Sequence, residues 1–364
     1  MTTDTAFTFG WETTAHFECR LQEMINQGSL TLMLSIGYRT GLFEVLGTLD
    51  AASCEEIAER AGLKPQYVKD WLEVMTTGGI LEHDSLFQTY RLPAEQAALL
   101  LQRGRTHSYA TSVQWVSLSG KLEDEIVTCF REGGPLPSDL FTQLQSQLAE
   151  DNSVSIMNGL FQHVLPLVPS LIMQLCEGRD VLDLGCGCGN TLIELARMFP
   201  ASRFSGYDSS STLIEKARRT AEEEQIENVT FIQRELSEIH AIDAFDLVTA
   251  FDVLQDQAQP FRILDQVLTA LRPEGLFLMQ DLARSRSREI NLQNPLSTLM
   301  FSLSCLRSMV NAEQDQTADG SRWCQEIALQ TLQEAGFTSI DVHTLPHDLV
   351  NDYYVARKPP RPVA

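Results

Sequence analysis

VLDLGCGCGN, Val181 to Asn190, decides the fold of this chain. Val181 to Leu184 are apolar but for Asp183 and read as a buried strand. Gly185, Gly187 and Gly189 follow at alternate positions, so the backbone can turn sharply and pass close to a ligand. Asp208, nineteen residues after Gly189, stands at the tip of the next strand, RFSGY. A carboxylate there suits the paired hydroxyls of a ribose. Together these features read as the nucleoside-binding crevice of a doubly wound α/β sheet.

Downstream, strands and helices alternate. DVLDL leads into the helix NTLIELARMF, and RFSGY into SSTLIEKARRTAEEEQ. VTFIQR, FDLVTA and GLFLMQ are further strands, with the helix FRILDQVLTALRP ahead of the last. RWCQEIALQTLQEAGF is a late helix, and TSIDVH and DYYVARK are the final strands. Such alternation implies a mostly parallel sheet with helices on both faces. The link TLPHDLVN is too short for a crossover helix, so the final two strands are expected to pair antiparallel. The tail KPPRPVA is proline-rich and expected to be disordered.

The first hundred or so residues read as short helices. Gly28 to Leu46 has apolar residues at helical spacing, with breaks expected at Gly37 and Gly41. Ser53 followed by Glu56 is a capping-box pattern, and Gly62 ends that helix. Lys64 to Thr77 is a second helix with Pro65 in its first turn, and Gly78-Gly79 turns the chain into ILEHD and FQTYRL. Helix, turn, helix and a short ribbon make a winged helix. Its second helix sets Lys64 and Lys69 against Asp70 and Glu73, so a packing or dimerisation platform fits better than a DNA reader. Three regions are expected: 1–100 winged helix, 101–170 a helical connector contributing to the acceptor pocket, and 171–364 the nucleoside-binding domain.

With 364 residues and 43% hydrophobic content, the chain can bury a large core without disulfides. The net charge of −22 weighs against nucleic acid or an anionic membrane as partner. The eight cysteines include no CxxC pair or zinc spacing, so no metal is expected. The start MTTDTAFTFG lacks a cationic, apolar leader, and no apolar run is long enough for a membrane span. A reduced, cytoplasmic protein is expected.

Which nucleoside is bound follows from the loop. A nicotinamide-binding loop carries a third small residue at the GxGxxG or GxGxxA position, and here Asn190 follows Gly189 instead. Alternate glycines after an acidic strand end resemble the class I S-adenosylmethionine-dependent methyltransferases. Asp208, Glu235-Leu236 after VTFIQR, Phe251-Asp252 within FDLVTAFD, and LRPEG agree in order and spacing. Beyond this core, the winged helix, EDEIVTCFREGG, HVLPLVP and HDLVNDYYVARK are similar to a bacterial-type group of small-molecule methyltransferases with an N-terminal winged-helix domain. The resemblance implies an α/β fold: a Rossmann-like seven-stranded class I methyltransferase sheet behind a mostly helical winged-helix domain. It implies S-adenosyl-L-methionine as cofactor and a small-molecule methyl acceptor. A cofactor-sensing transcription regulator and a dehydrogenase of similar topology stand as alternatives.

On that resemblance, Asp183, Gly185, Cys186, Gly187 and Gly189 hold the methionine end. Asp208 takes the ribose with Ser209 beside it. Glu235, Leu236 and Phe251 frame the adenine, with Asp252 at the methionine end and adenine edge. The family commonly places His in an IHD or LHD motif after the fourth strand. Here the motif is Leu254-Gln255-Asp256, and Gln cannot take a proton. Asp256 is a candidate base or amine-binding carboxylate, or else a cap or loop residue. His163 is a second candidate base, or else a satisfied, partly buried histidine. Tyr38 and Arg39 read as packing or a surface pair before acceptor contacts, and Trp323 as core. The insertion 283–320, with its apolar helix PLSTLMFSLSCLRSMV, suits a lid or wall over the acceptor or a packing face toward the N-terminal domain. A homodimer contact through the N-terminal domain stays open.

Overall fold

The computed structural model describes residues 13–101, 109–136, 159–310, 323–345, 348 and 350–361. The chain divides into two compact units, Met1–Arg103 with Ser108–Lys121, and Gly104–His107 with Leu122–Ala364. Of the segment 101–170, the helix Tyr109–Lys121 therefore goes with the first unit. The helix Glu123–Glu132 and the turn Leu160–Val164 go with the second.

The first unit opens on a long helix, Thr14–Thr40, capped by the Thr13 hydroxyl, which accepts from the His16 N–H. The break expected at Gly37 does not occur. A Cβ at Gly37 would lie 2.6 Å from the Trp71 ring and 2.7 Å from Phe43, so this glycine makes room for packing and the helix runs on to Gly41. The Trp71 indole donates to Met33 O at 2.8 Å. Tyr38 packs its ring on Phe43 at 4.8 Å, with burial pushing its phenol up to about 12. The helix Cys54–Ala61 starts at Ser53, which accepts from the Glu56 N–H at 3.2 Å, and ends at left-handed Gly62. The Glu56 carboxylate pairs with Arg60. The helix Pro65–Thr77 follows, then β1 (Glu82–Asp84) and β2 (Thr89–Arg91) pair antiparallel as the wing. Phe43, Leu46, Ile57, Leu72 and Met75 form the core.

The second unit is a seven-stranded sheet. Its strands are β3 (Asp180–Leu184), β4 (Arg203–Asp208), β5 (Val229–Gln233), β6 (Phe245–Phe251), β7 (Leu271–Leu282), β8 (Thr338–Thr344) and β9 (Asn351–Arg357). They lie in the order β5-β4-β3-β6-β7-β9-β8. The first five are parallel, and β9 runs antiparallel to both β7 and β8, as the short link required. The chain winds outward from β3 to β5, then returns to place β6 on the other side of β3. That reversal opens a crevice at the carboxyl ends of β3 and β6.

Helices cover both faces. Leu171–Glu177, Asn190–Met198 and Ser211–Glu223 bury Leu175, Leu192, Leu195, Ile214 and Ala217 against Val181, Leu247 and Leu278. Pro260–Ala270 and Gln325–Ala335 bury Leu264, Val267 and Leu332 against the other face. A strand buried on both faces has no polar side, which is why FDLVTAF reads as almost continuously apolar.

The tail departs from expectation as far as Arg361. The Lys358 N–H donates to Gly275 O, and its ammonium reaches Asp243 at 2.8 Å and Leu271 O at 2.6 Å. Arg361 also pairs with Asp243. These contacts hold down a segment whose proline content alone suggested disorder. His347, the first residue of HDLVNDYYVARK, and residues 311–320 of the insertion lie outside the described residues.

Candidate active site

The crevice starts where β3 ends. Gly185, Gly187 and Gly189 have φ of +69°, +55° and +77°, a region open to glycine and costly for side chains. A Cβ on Gly185 would sit 2.5 Å from Val253 Cγ2, and one on Gly189 2.5 Å from the Phe231 ring. The loop is therefore bare main chain by necessity. Cys186 and Cys188 are buried within it, and burial pushes the Cys186 thiol well above its ordinary value, so it stays a neutral space-filler.

Asp208 closes the far side. One carboxylate oxygen accepts from the Gly187 N–H at 3.0 Å and the other from the Ser210 N–H at 2.9 Å. A carboxylate has about four accepting sites, so two are left for hydroxyl donors. Burial raises its pKa, opposed by the Ser210 and Gly187 N–H groups. Ser209 is exposed beside it, and its carbonyl accepts from Gln233. Arg234 donates from its backbone to Asp208 O and lies over the Tyr207 ring, which steadies the strand end.

Asp183 is buried under the loop and takes the Thr249 hydroxyl at 2.5 Å, from the neighbouring strand position on β6. Burial pushes it up to about 7, the Thr249 hydrogen bond opposes this, and the Asp208 charge adds to it. An ordinary Asp titrates at 3.8. Between these values the folded domain holds a proton that the unfolded chain has released. The stability from this group is therefore full at low pH and is lost as pH rises through about 7. The Tm is expected to fall from about pH 5.5 to about pH 8 more in the parent than in Asp183→Asn. Parallel pH profiles in differential scanning calorimetry would dismiss the buried acid.

Glu235 is exposed just past β5, Leu236 is buried next to it, and Phe251 is buried as the last residue of β6. Asp252 follows at φ +60°, a strained position for a side-chain-bearing residue. Two contacts fix it: its N–H donates to Gln280 O at 2.8 Å, and its carboxylate accepts from the buried Gln255 amide. Asp256 ends the 3-10 turn Leu254–Asp256. The structure thus gathers Asp183, the glycine loop, Asp208, Phe251 and Asp252 around the carboxyl ends of β3, β4 and β6. His163 sits apart in sequence on the π-helical turn Leu160–Val164, exposed, while Leu160 and Val164 of that turn enter the core.

Gln280, which no motif marked, completes the edge together with Asp348 and Tyr353 from the stretch HDLVNDYYVARK. Cross-strand register aligns Phe251 on β6 with Gln280 on β7, Tyr353 on β9 and His343 on β8, one row on one face. Tyr353 donates to Asp348 at 2.8 Å, and Asp348 also accepts from the Val350 and Asn351 N–H groups. Burial, then the Asp348 charge and hydrogen bond, then the Asp252 charge hold the Tyr353 phenol far above its ordinary value. From the insertion, the helix Ser297–Val310 packs Met300 against Leu282 and Val350 at the end of this row. Trp323 is core as expected, with its indole donating to Asp281 at 3.0 Å.

Comparison with known proteins fits this geometry. Residues 28–103 match the Rv2258c-like winged HTH domain, and residues 176–342 match a methyltransferase domain. Trans-aconitate 2-methyltransferase of Escherichia coli is 31% identical over 100 residues, 28% of this chain and 38% of that protein. The chain spans 30% to 54% of the length of the curated relatives it matches. Human N-acetylserotonin methyltransferase, solved with S-adenosylmethionine, superposes with a TM-score of 0.69 at 16% identity, over 97% of this chain and all of that one. An O-methyltransferase family protein of Burkholderia thailandensis gives 0.63 at 17% identity, over 96% and 100%. At these identities the structural likenesses establish the fold.

Proposed function

We propose that this chain, whose residues 176–342 match a methyltransferase domain and whose residues 28–103 match a winged HTH domain, is an S-adenosylmethionine-dependent enzyme that methylates a small molecule. The observation behind this reading is the bare cradle after β3, closed by an Asp208 carboxylate with two accepting sites to spare. The fit is specific. A nucleoside without phosphate asks for close main-chain approach and a sugar-binding carboxylate, and both are present.

Asp208, with Ser209 beside it, takes the ribose hydroxyls. Asp183, Gly185, Cys186, Gly187 and Gly189 hold the methionine end, Glu235, Leu236 and Phe251 frame the adenine, and Asp252 lies at the methionine end and adenine edge. Bound cofactor supplies a methyl group on a sulfonium. In-line transfer asks the chain for alignment and exclusion of water more than for acid–base chemistry. A base is required only where the acceptor must lose a proton. Asp256 and His163 are the candidates. Of Asp256→Asn and His163→Gln, the one that removes the acid limb of the pH–rate profile marks the base.

Calorimetry tests the cofactor. About micromolar affinity for S-adenosylhomocysteine and no heat with NAD(H) are expected. The reverse result would replace the methyltransferase with a dehydrogenase.

We further read the winged helix as a dimerisation platform. The helix Thr14–Thr40 exposes Phe17, Leu21, Met24, Ile25 (68%), Leu32 (53%) and Ile36 along one side. Gly28 lies midway, with nothing within 4 Å of a Cβ position. A mid-helix glycine costs about 1 kcal/mol relative to Ala, and no packing among the described residues requires it here. A second copy crossing antiparallel at Gly28 covers the stripe and turns Glu18 of one copy toward Arg39 of the other. Light scattering is expected to show a dimer for the parent and a monomer for Ile25→Glu/Leu32→Glu. A monomeric parent rejects this reading. No described helix is long and apolar enough to cross a membrane. The eight free thiols support our reading of a reduced, cytoplasmic setting.

A further inference from the structure

The Gln280 side chain is only 3% exposed, and its amide oxygen Oε1 has no hydrogen-bond partner among the described residues. Buried amides are nearly always satisfied, because an unmet one carries its full desolvation penalty. Its position gives the orphan a purpose. Asp208 on β4, the loop after β3 and Phe251 on β6 mark out the cofactor crevice in order across the sheet. The next strand in the same direction is β7, where Gln280 stands beside Phe251 on the same face. Tyr353 flanks Gln280 on the other side, held by Asp348, and Met300 packs against Leu282, two residues further along β7 on that face.

Resting on the methyltransferase reading, we propose that Gln280 is the polar contact of the methyl acceptor, and that the acceptor presents to it a neutral hydroxyl or N–H. The unmet atom is the oxygen, which accepts only and needs a donor; the amide NH2 beside it can donate to any acceptor, so it is the charge around the site that excludes a carboxylate. The surrounding carboxylates agree. Asp208, Asp252 and Asp348 make this end of the sheet hostile to an anionic acceptor. Phe251 beside Gln280, with Met300 against Leu282 further along β7, suits an aromatic or otherwise flat body around that polar group.

Gln280→Met tests the proposal, since Met keeps the length of the side chain and removes its amide. Parent and variant are compared with S-adenosylhomocysteine bound. Removing an unmet buried amide is expected to leave the Tm unchanged or to raise it by about 2–4 °C. A fall of that size means the amide is structural and overturns the proposal. Crystals of the parent complex soaked with phenol, benzamide and benzoate are expected to seat phenol or benzamide with its O–H or N–H on Gln280 Oε1. Benzoate is expected to be absent from that position. Calorimetric affinity for the seated probe is expected to drop at least about tenfold in Gln280→Met. Benzoate on Gln280, no probe there, or an unchanged affinity each overturns the proposal. Failure of the parent to bind S-adenosylhomocysteine rejects the methyltransferase reading itself, whereas retained binding with no probe at Gln280 rejects only the acceptor contact.

Discussion

Asp208→Asn is expected to weaken S-adenosylhomocysteine binding by at least about 100-fold. The substitution looks conservative, but the local hydrogen bonds make it severe. Each carboxylate oxygen of Asp208 already receives a backbone N–H, from Gly187 on one side and Ser210 on the other. An Asn side chain has one accepting oxygen, so its amide N–H groups must face one of those donors. The carboxamide is pushed out of place, and two charge-assisted hydrogen bonds to the sugar, about 1.5–3 kcal/mol each, go with it. Asp208→Ala removes the same bonds and also releases the Gly187 N–H. Isothermal calorimetry on variants with a native circular dichroism spectrum decides the matter. Parent-like affinity in Asp208→Asn would mean that β4 does not end at the ribose.

Gly189→Ala is expected to lower the Tm by about 6–15 °C. Two costs add. A φ of +77° costs an alanine about 1–2 kcal/mol. The new methyl would lie 2.5 and 2.6 Å from two Phe231 ring carbons and 3.0 Å from Ala217 Cβ, and overpacking of that kind costs about 1–3 kcal/mol. Gly62→Ala is the internal control. Its φ is +67° but nothing lies within 4 Å, so only the backbone cost applies. Gly185→Ala is a second check. Its contact is with the Val253 methyls, and the Val253 Cβ itself is 3.6 Å away, so Val253→Ala should rescue much of the loss. Equal Tm values for Gly189→Ala and Gly62→Ala would show that the loop is not clamped as described.

Much of the sheet was legible because its signals are local. The run from Val181 to Asp208 contains strand, glycines, helix and acidic tip in one short segment, and the structure assembles them in sequence order. Ser53, Glu56 and Gly62 were readable for the same reason, since a cap is decided within one turn. What no local pattern carries depends on residues far apart in the chain. Gly37 looked like a breaker until Trp71 and Phe43 were seen to occupy the space its missing Cβ leaves. The tail looked disordered because Asp243, the partner of Lys358 and Arg361, belongs to the loop before β6. Thr249 beneath Asp183 was hidden because strand register is not written in either strand alone. The same holds for Gln280: within GLFLMQ it is one polar letter, and only its alignment with Phe251 and Tyr353 sets it at the edge of the crevice.

β9 follows β8 in the chain, yet it is inserted between β8 and β7. During synthesis β8 emerges with no edge to join, and the open side of β7 waits for a segment still to come. The finished sheet thus closes like a zip pulled from its far end, and Tyr353 is delivered to the crevice in that closing stroke. A chain cut short before Asn351 would lose two strands rather than one. It would leave the raw border of β7 facing the crowded cell, a target for chaperones and for other unpaired strands.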